Sequence, residues 1–385
     1  MSFNTTSIPS KLPDVKTTIF TVMGKLANEY NAINLSQGFP DFASDPTLKE
    51  LVTNAMNNGQ NQYAPMQGTI GLRESIAEKF NLLYDASYHP EKEITITAGA
   101  TQAIFTIISA FIHENDEVII FKPAYDCYEP AIELMKGTSV VVQLEAPHFN
   151  VDWNSVHELI SSKTKMIIIN TPHNPSGTVW SKEDMLMLEE LVKDTDIIVL
   201  SDEVYEHIIF DNVQHQSACL FPGLKERSFI CASFGKTFHN TGWKMGYCAA
   251  PTELMNEFRK VHQFNVFCVN HPMQIAFATH LKDPNNYQHI SAFYQKKRDF
   301  FLNAIKGSRF DSIPSAGTYF QVLDYSAITT ENDIEFAKRL VTEKKLASIP
   351  ISVFNETHCN DKLLRFCFAK KKETLERAAE IICEI

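Results

Sequence analysis

Three polar clusters follow short apolar runs in the middle of the chain, each at the point where a run ends. They lie at 174–177 (NPSG), 201–205 (SDEVY) and 233–238 (SFGKTF). If the runs are neighbouring parallel strands, an amide, a carboxylate, a phenol and a lysine converge on one edge of a sheet. Ligands of open α/β sheets bind at that edge. The clusters therefore predict a polar site beyond the strand ends.

Lys236 has the most distinctive chemistry of these residues. It stands between Gly235 and an apolar flank, where its amine could be poorly solvated. A neutral lysine amine attacks aldehydes and forms imines. Taken alone, Lys236 could be a solvated surface residue and Asp202 a turn or helix-cap residue. Their joint occurrence after successive predicted strands favours a site.

Two nucleotide-binding motifs do not fit. The dinucleotide fingerprint needs G-x-G-x-x-G, and no two glycines of the chain are spaced two apart. Gly235-Lys236-Thr237 matches the end of a P-loop, but Ile230 stands where the first glycine is required. Without that glycine the backbone cannot wrap a phosphate, so the lysine needs another explanation.

Apolar, β-rich runs alternate with helix-like segments from residue 94 to residue 250. Helices are predicted most clearly over Thr101–His113 and Lys182–Lys193, the second with Ser181 as N-cap and Asp184 three residues on. This alternation predicts an α/β fold with a mostly parallel, seven-stranded sheet and helices on both faces. Seven runs are the candidate strands: 94–97, 117–122, 139–144, 166–170, 197–202, 228–233 and 246–250.

The C-terminal part has a different rhythm. A long helix is predicted over Tyr287–Ile305, followed by short β-like pieces (TYFQVLD, ASIPISV and LLRFCF) and a last helix from Lys371. This α+β pattern predicts a second, smaller domain. We expect residues 46–283 to form the large domain, and residues 1–45 together with 284–385 to form the small one.

Composition limits the partners and the location. The 385-residue chain has 35 Lys and Arg against 46 Asp and Glu, a net charge of −11, and no basic cluster, so no nucleic-acid partner is expected. Its most apolar stretch, 103–112, is far shorter than a membrane span, and the N-terminus lacks the apolar core of a signal peptide. No membrane association and a cytoplasmic location are expected. The eight cysteines and thirteen histidines contain no CxxC and no HExxH, so no metal site is expected either.

Taken together, the motifs resemble those of class I, fold-type I pyridoxal-phosphate (PLP) aminotransferases, whose large domain is the PLP-transferase domain. The resemblance covers nearly the whole chain, and its most specific parts are SDEVY, the block from GKT to GWK, and RFCF. QGFPDF and DCYEP resemble the kynurenine–glutamine aminotransferase branch. NQYAPMQG, TPHNPS and SFGKTFHNTGWK are most similar to its bacterial methionine aminotransferases.

The resemblance implies the catalytic roles. Lys236 would hold PLP as a Schiff base and then move a proton as a free amine. Asp202 would face the pyridine nitrogen and keep it protonated. Tyr205 and Asn174 would bond to the ring oxygen, and Tyr125 would stack on the ring, although Tyr125 could instead be a core aromatic residue.

The resemblance also implies how the phosphate and a second subunit enter the site. Gly99, Ala100 and Thr101 would present a helix N-terminus to the phosphate. Ser233 and Lys244 would add side-chain contacts. Tyr63 would reach the phosphate of the neighbouring subunit, so a homodimer with shared active sites is expected.

On the substrate side, Arg365 would bind the α-carboxylate through a bidentate fork, with Gly38, Asn174 and Phe20 beside it. Arg365 could also be a surface residue preceding an apolar strand. The side-chain pocket implied by the resemblance offers aromatic faces and a thiol but no cation; it comprises Phe20, Tyr63, Thr101, Phe267 and Cys268. We therefore expect methionine or another large apolar or aromatic amino acid as donor and a 2-oxo acid as acceptor.

Other functions remain compatible with parts of the pattern. A kynurenine aminotransferase or a cysteine-conjugate β-lyase would use Lys236, Asp202 and Tyr205 in the same way. A PLP-sensing transcription regulator is disfavoured because the aminotransferase motifs begin by residue 36 and leave no room before them for a DNA-binding domain. A catalytically dead binding module is disfavoured because each cofactor-contacting position is chemically competent.

Overall fold

The computed structural model describes residues 9–356 and 361–385. Its centre is a seven-stranded sheet with the order β2-β8-β7-β6-β5-β3-β4, in which β8 runs opposite to the other six strands. The α/β fold class expected from the sequence is confirmed. The strands are β2 Ile94–Thr97, β3 Glu117–Lys122, β4 Thr138–Gln143, β5 Thr164–Asn170, β6 Ile198–Asp202, β7 Ser228–Ser233 and β8 Gly246–Ala249.

Central strands of this sheet, such as β5 and β7, are apolar on both faces because helices cover both sides of the sheet. One buried cluster includes Ile167 and Ile230, and a second includes Ile168 and Phe229, so alternate residues of the same strands enter opposite clusters. This explains why β5 and β7 read as continuous apolar runs.

Helices precede, connect and follow the strands. The N-terminus of α7 has the expected capping box: Asp184 N–H donates to Ser181 Oγ, and Ser181 N–H donates to the Asp184 carboxylate. In chain order the helices of the first three hundred residues are α1 Ile19–Glu29, α2 Pro46–Asn57, α3 Ile70–Tyr84, α4 Ala100–Phe111, α5 Tyr128–Leu134, α6 Trp153–Leu159, α7 Lys182–Val192, α8 Pro222–Lys225, α9 Phe234–Thr237, α10 Thr252–Asn265, α11 His271–His280, α12 Asn285–Gln288 and α13 Ile290–Ala304.

The C-terminal part of the chain, together with β1 from the N-terminal segment, forms a smaller α+β layer. A three-stranded antiparallel sheet has the order β11-β12-β9, and a two-stranded parallel pair joins β1 to β10. The elements are β1 Ile33–Asn34, β9 Phe320–Asp324, α14 Asp333–Lys344, β10 Leu346–Ala347, β11 Ile349–Pro350, β12 Leu363–Cys367 and α15 Lys372–Cys383.

A separate apolar cluster lies under this smaller layer. It joins Met23 and Leu35 from the N-terminal segment to Tyr294, Leu340 and Phe366 from the C-terminal part. The N-terminal segment thus shares a core with the C-terminal elements. On this basis we propose the division into residues 46–283 and residues 1–45 with 284–385.

Several boundaries differ from the sequence prediction. The helix expected over Tyr287–Ile305 is divided at His289 into α12 and α13. The expected run 347–353 contributes only β11 and part of β10, both two residues long. Strand and helix ends elsewhere agree with the prediction or shift by one or two residues, because hydrogen bonding, rather than apolar character, sets them.

Across the described ranges, no helix combines the length and the apolar character needed to cross a membrane.

Candidate active site

One pocket lies beyond the carboxyl ends of β5, β6 and β7. The parallel register sets Asn170 beside Asp202, so the ends of β5 and β6 open at the same level. The three polar clusters singled out from the sequence all contribute to this pocket. Its lining consists of Gly99, Ala100, Thr101, Ile104, Tyr125, Asn170, Asn174, Asp202, Val204, Tyr205, Ser233, Lys236, Thr241 and Lys244.

Asp202 is the buried acid of the pocket and is 3% exposed. Burial raises the pKa of its carboxyl from 3.8 to about 6, against the lowering effect of a hydrogen bond from Tyr128. Tyr128 Oη donates to Oδ2 at 2.6 Å, and the Val204 N–H donates to Oδ1 at 3.3 Å. The carboxylate is therefore held in one orientation and favours a cationic partner.

Lys236 lies on the short helix α9 that follows β7 directly. Its amine donates to Tyr319 Oη at 2.9 Å and to the Gly38 carbonyl at 3.4 Å, and lies 5.4 Å from the centre of the Tyr205 ring. Burial lowers the pKa of Lys236 from 10.5 to about 8. A useful fraction of the amine is thus neutral near pH 8, as nucleophilic or general-base chemistry requires.

A second wall of the pocket is built for an anion. Gly99 caps α4 with φ at +79°, a conformation that favours glycine, and brings the first turn of the helix to the pocket. The first backbone N–H groups of a helix have no intrahelical acceptor. The Lys244 amine lies close to Gly99, since a Cβ built on that glycine would be 3.5 Å from it. Ala100, Thr101, Ser233 and Lys244 all line this wall.

Arg365 approaches from β12 of the smaller layer and is 1% exposed. It donates to Asn174 Oδ1 at 2.7 Å and to the Ser36 carbonyl at 3.0 Å. Its Nε is buried and has no hydrogen-bond partner among the described residues. A buried guanidinium with an unused donor is suited to bind an anion of planar geometry.

Aromatic rings surround the Arg365 guanidinium. The Phe320 ring centre is 3.8 Å from its central carbon, and those of Phe20 and Phe354 are 5.4 and 5.8 Å away. Phe20 and Phe354 also contact each other, with ring centres 5.8 Å apart. An anion at Arg365 would thus have apolar neighbours.

The structure does not bring every sequence-predicted residue into this pocket. Tyr63 is 79% exposed and packs its ring edge against Phe267, 5.1 Å between centres. The predicted residues absent from the pocket lining are Phe20, Gly38, Tyr63, Phe267, Cys268 and Arg365, although Arg365 bonds to Asn174, which lines the pocket. Tyr125 and Thr101 do line it, and burial raises the pKa of Tyr125 to about 12.

Sequence reasoning missed four contacts of the site. Tyr128 holds Asp202, Tyr319 holds the Lys236 amine, Asn170 donates to the Asp202 carbonyl at 2.8 Å, and the Ser36 carbonyl accepts from Arg365. Each residue lay inside or beside a motif already noted. Only the spatial contact distinguishes it from its neighbours.

The fold and site define a family. The family model described as "Aminotransferase class I and II" matches residues 30–382. The chain belongs to this aminotransferase family, which confirms the family expected from the sequence motifs.

The relatives refine this placement. The chain is 48% identical to a methionine aminotransferase of Escherichia coli over 96% of each chain. A solved E. coli structure, identified as having a methionine aminotransferase function, superposes with a TM-score of 0.96 and covers 98% of this chain and 100% of its own, also at 48% identity. The human kynurenine–oxoglutarate transaminase 3 is 34% identical over 93% of this chain and 86% of its own.

Replacing Asp202 by asparagine should stabilise the cofactor-free chain most at pH values above 6. Burial raises the pKa of Asp202 from 3.8 to about 6, so the native state binds more protons than the unfolded chain between these values. The free energy of unfolding of the wild type therefore falls as pH rises through this window, by about 1 to 3 kcal/mol. The amide does not titrate, so its advantage should grow from pH 4 to pH 7 in thermal unfolding.

Asp211→Asn is the matched control with the opposite sign. Hydrogen bonds from Arg298 lower the pKa of Asp211, so its contribution to stability is present above pH 4 and lost as the pH falls. This variant should be less stable than the wild type at pH 7. A pH-independent difference between Asp202→Asn and the wild type would contradict the assigned origin of the shift.

Proposed function

We propose that this aminotransferase uses PLP to move the amino group of methionine, or of another large apolar or aromatic amino acid, to a 2-oxo acid. One observation carries the proposal. The amine of Lys236 and the guanidinium of Arg365 both donate to carbonyls of one short segment, at Gly38 and Ser36 respectively. A nucleophilic amine and a carboxylate-binding cation therefore flank the same small space, as an α-amino acid requires.

The charges and the hydrogen-bond donors of the pocket fit the groups of PLP. The helix N-terminus at Gly99 with Ser233 and Lys244 would hold the phosphate dianion. Asp202 would pair with a protonated ring nitrogen, and Lys236 would bind the aldehyde carbon. When bound, PLP supplies an electron sink for the negative charge that develops on the substrate α-carbon.

The residues of the chain hold and move protons around that group. Lys236, with its pKa lowered to about 8, is suited to accept a proton from the α-carbon and return it. Tyr319 and Gly38 direct its amine. Tyr205 lies beside the same amine, with its ring centre 5.4 Å from Lys236 Nζ and 5.2 Å from the ring of Tyr319, and burial raises the pKa of Tyr205 so that it remains a hydrogen-bond donor.

Arg365 orients any amino acid and provides no choice among side chains. The choice falls to the aromatic residues around it, Phe20, Phe320 and Phe354. A thioether packs well against aromatic rings, whereas a carboxylate would lose its hydration there. The relative at 48% identity, a methionine aminotransferase, supports this assignment.

We also propose a homodimer with shared active sites. Tyr63, Phe264 and Phe267 are 79%, 86% and 55% exposed, which is unusual for large aromatic residues. Tyr63 does not reach the pocket of its own chain. A second copy that covers these rings could place Tyr63 at the neighbouring pocket.

The first test of this function is covalent labelling. Borohydride reduction of the PLP-loaded enzyme followed by peptide mapping should find the pyridoxyl group on Lys236, because this lysine lines the pocket and its pKa is lowered to about 8. Lys236→Ala should bind PLP without a covalent link and lose several orders of magnitude in turnover. Lys244→Ala is the control: it should weaken PLP binding yet leave Lys236 labelled. A label on another lysine would refute the assignment.

The second prediction concerns the amino donor. With one 2-oxo acid as acceptor, kcat/KM should be highest for methionine, close behind for phenylalanine and leucine, and at least about a hundredfold lower for aspartate, whose side-chain carboxylate would be buried without a partner. Glutamine and kynurenine complete the panel. Aspartate equal to methionine would contradict the apolar pocket, and kynurenine in first place would favour the function of the more distant relative.

The third prediction concerns assembly. Light scattering should give twice the chain mass of 43.7 kDa. Tyr63→Ala and Lys236→Ala, each defective alone, should regain activity when mixed and reassembled, because a mixed dimer contains one intact site. A fully active monomer, or no recovery from a mixture shown to contain mixed dimers, would exclude a shared site.

A further inference from the structure

A buried ionic network lies outside the pocket, behind the segment that carries Asp202 and Tyr205. Lys79 of α3 forms an ion pair with Glu206 at 2.5 Å, with both side chains at most 5% exposed. Tyr247 Oη of β8 accepts from Lys79 at 2.8 Å and donates to Glu206 Oε1 at 3.1 Å. Tyr84 Oη donates to Glu206 Oε2 at 2.8 Å. We call Lys79, Tyr84, Glu206 and Tyr247 the Glu206 network.

The Glu206 network contains a buried ion pair, and both carboxylate oxygens of Glu206 accept hydrogen bonds. Burial acts to raise the pKa of Glu206, but the charged and hydrogen-bonding neighbours, Lys79 first among them, together outweigh burial and hold the pKa at about 2. Burial lowers the pKa of the adjacent His207 to about 3, so that ring is neutral. A buried ion pair gives little net stability compared with apolar packing, because both charges must lose their hydration. Its clearest physical effect is to fix geometry.

The network fixes a segment that has no regular structure of its own. Strand β6 ends at Asp202, and the chain then turns through 203–207. Asp202 and Tyr205 line the pocket, whereas Glu203 and Glu206 do not. Glu203 accepts from Ser201 Oγ at 2.7 Å and from the Ala218 N–H at 3.0 Å. The acidic residues therefore anchor the turn on the side away from the pocket.

The network also reaches the segment that carries the lysine. The Tyr247 ring packs against Phe234, with ring centres 5.3 Å apart, and Phe234 lies two residues before Lys236. Through its hydroxyl the same tyrosine bonds to Glu206, one residue after Tyr205. A single side chain thus contacts both catalytic segments.

We propose that Lys79, Glu206 and Tyr247 are positioning residues for amino transfer: they hold the turn of Asp202 and Tyr205 in register with the helix of Lys236. This inference rests on the proposed function, in which those three groups act on one substrate. A displacement of about 1 Å at reacting groups can cost about a hundredfold in rate. The network touches neither Arg365 nor the substrate-side aromatic residues, so substrate binding should be largely independent of it.

The test uses the PLP-loaded enzyme with Glu206→Gln, Lys79→Met and Tyr247→Phe. For methionine, kcat should fall about 10- to 100-fold while KM changes less than about threefold. The pH midpoint of the cofactor's visible absorbance should shift, since Asp202 and Tyr205 would move relative to Lys236. Hydrogen exchange measured by mass spectrometry should become faster in the peptide that contains 201–207.

Two controls separate positioning from stability. Glu257→Gln breaks an exposed pair with Lys260 at 2.6 Å and should change none of these measurements. Leu188→Ala removes a buried side chain of α7 and should lower the melting temperature without shifting the absorbance midpoint. If Glu206→Gln fails to fold, Tyr247→Phe still removes one hydroxyl while the ring stays against Phe234.

The outcome is decisive in either direction. Variants that melt lower but keep kcat and the absorbance midpoint within about twofold of the wild type, as Leu188→Ala should, would overturn the inference. A wild-type enzyme without aminotransferase activity or without a label on Lys236 would instead overturn the proposed function. Loss of kcat together with the shifted midpoint and faster exchange supports positioning.

Discussion

The site depends on one electrostatic constraint: a carboxylate is buried at the end of β6, and no cation of the described residues bonds to it. Among these residues, its donors are a hydroxyl and a backbone N–H, and burial raises the pKa of Asp202 to about 6. Without a bound ligand, the buried carboxylate lowers the free energy of unfolding because it has lost its hydration. It becomes favourable when a positively charged group enters the pocket, which is why the carboxylate is suited to hold a protonated ring nitrogen. Stability and function are thus opposed at this residue.

The cations of the site bond to groups other than the Asp202 carboxylate. Lys236 is directed toward Tyr319 and Gly38, Lys244 toward the helix start at Gly99, and Arg365 toward Asn174 and Ser36. Each positive group therefore remains available to a different part of a ligand. A phosphate, an aldehyde and a carboxylate would find separate partners in and beside the pocket.

The two layers of the protein meet at Arg365. This arginine belongs to β12 of the smaller layer, yet its guanidinium bonds to Asn174 at the edge of the large sheet. Substrate recognition consequently depends on how the layers are joined, whereas Asp202 ends β6 of the large sheet and Lys236 lies on α9, directly after β7. The aromatic rings around Arg365 also come from separate parts of the chain, α1, β9 and the turn at Phe354.

Features with a strong local signal can be predicted from residue type and order along the chain. Buried strands such as β3 and β7 read as apolar runs, and Asp202, Tyr205 and Lys236 follow such runs directly. The residues that hold these side chains in place are identified by contacts in three dimensions. Tyr319 reaches Lys236 from 83 positions away, and Lys79 reaches Glu206 from 127 positions away. Neither stands out from its neighbours by type or spacing. The physical reason is that a hydrogen bond or ion pair is specified by distance and direction in space, which a pattern of residues along the chain does not contain.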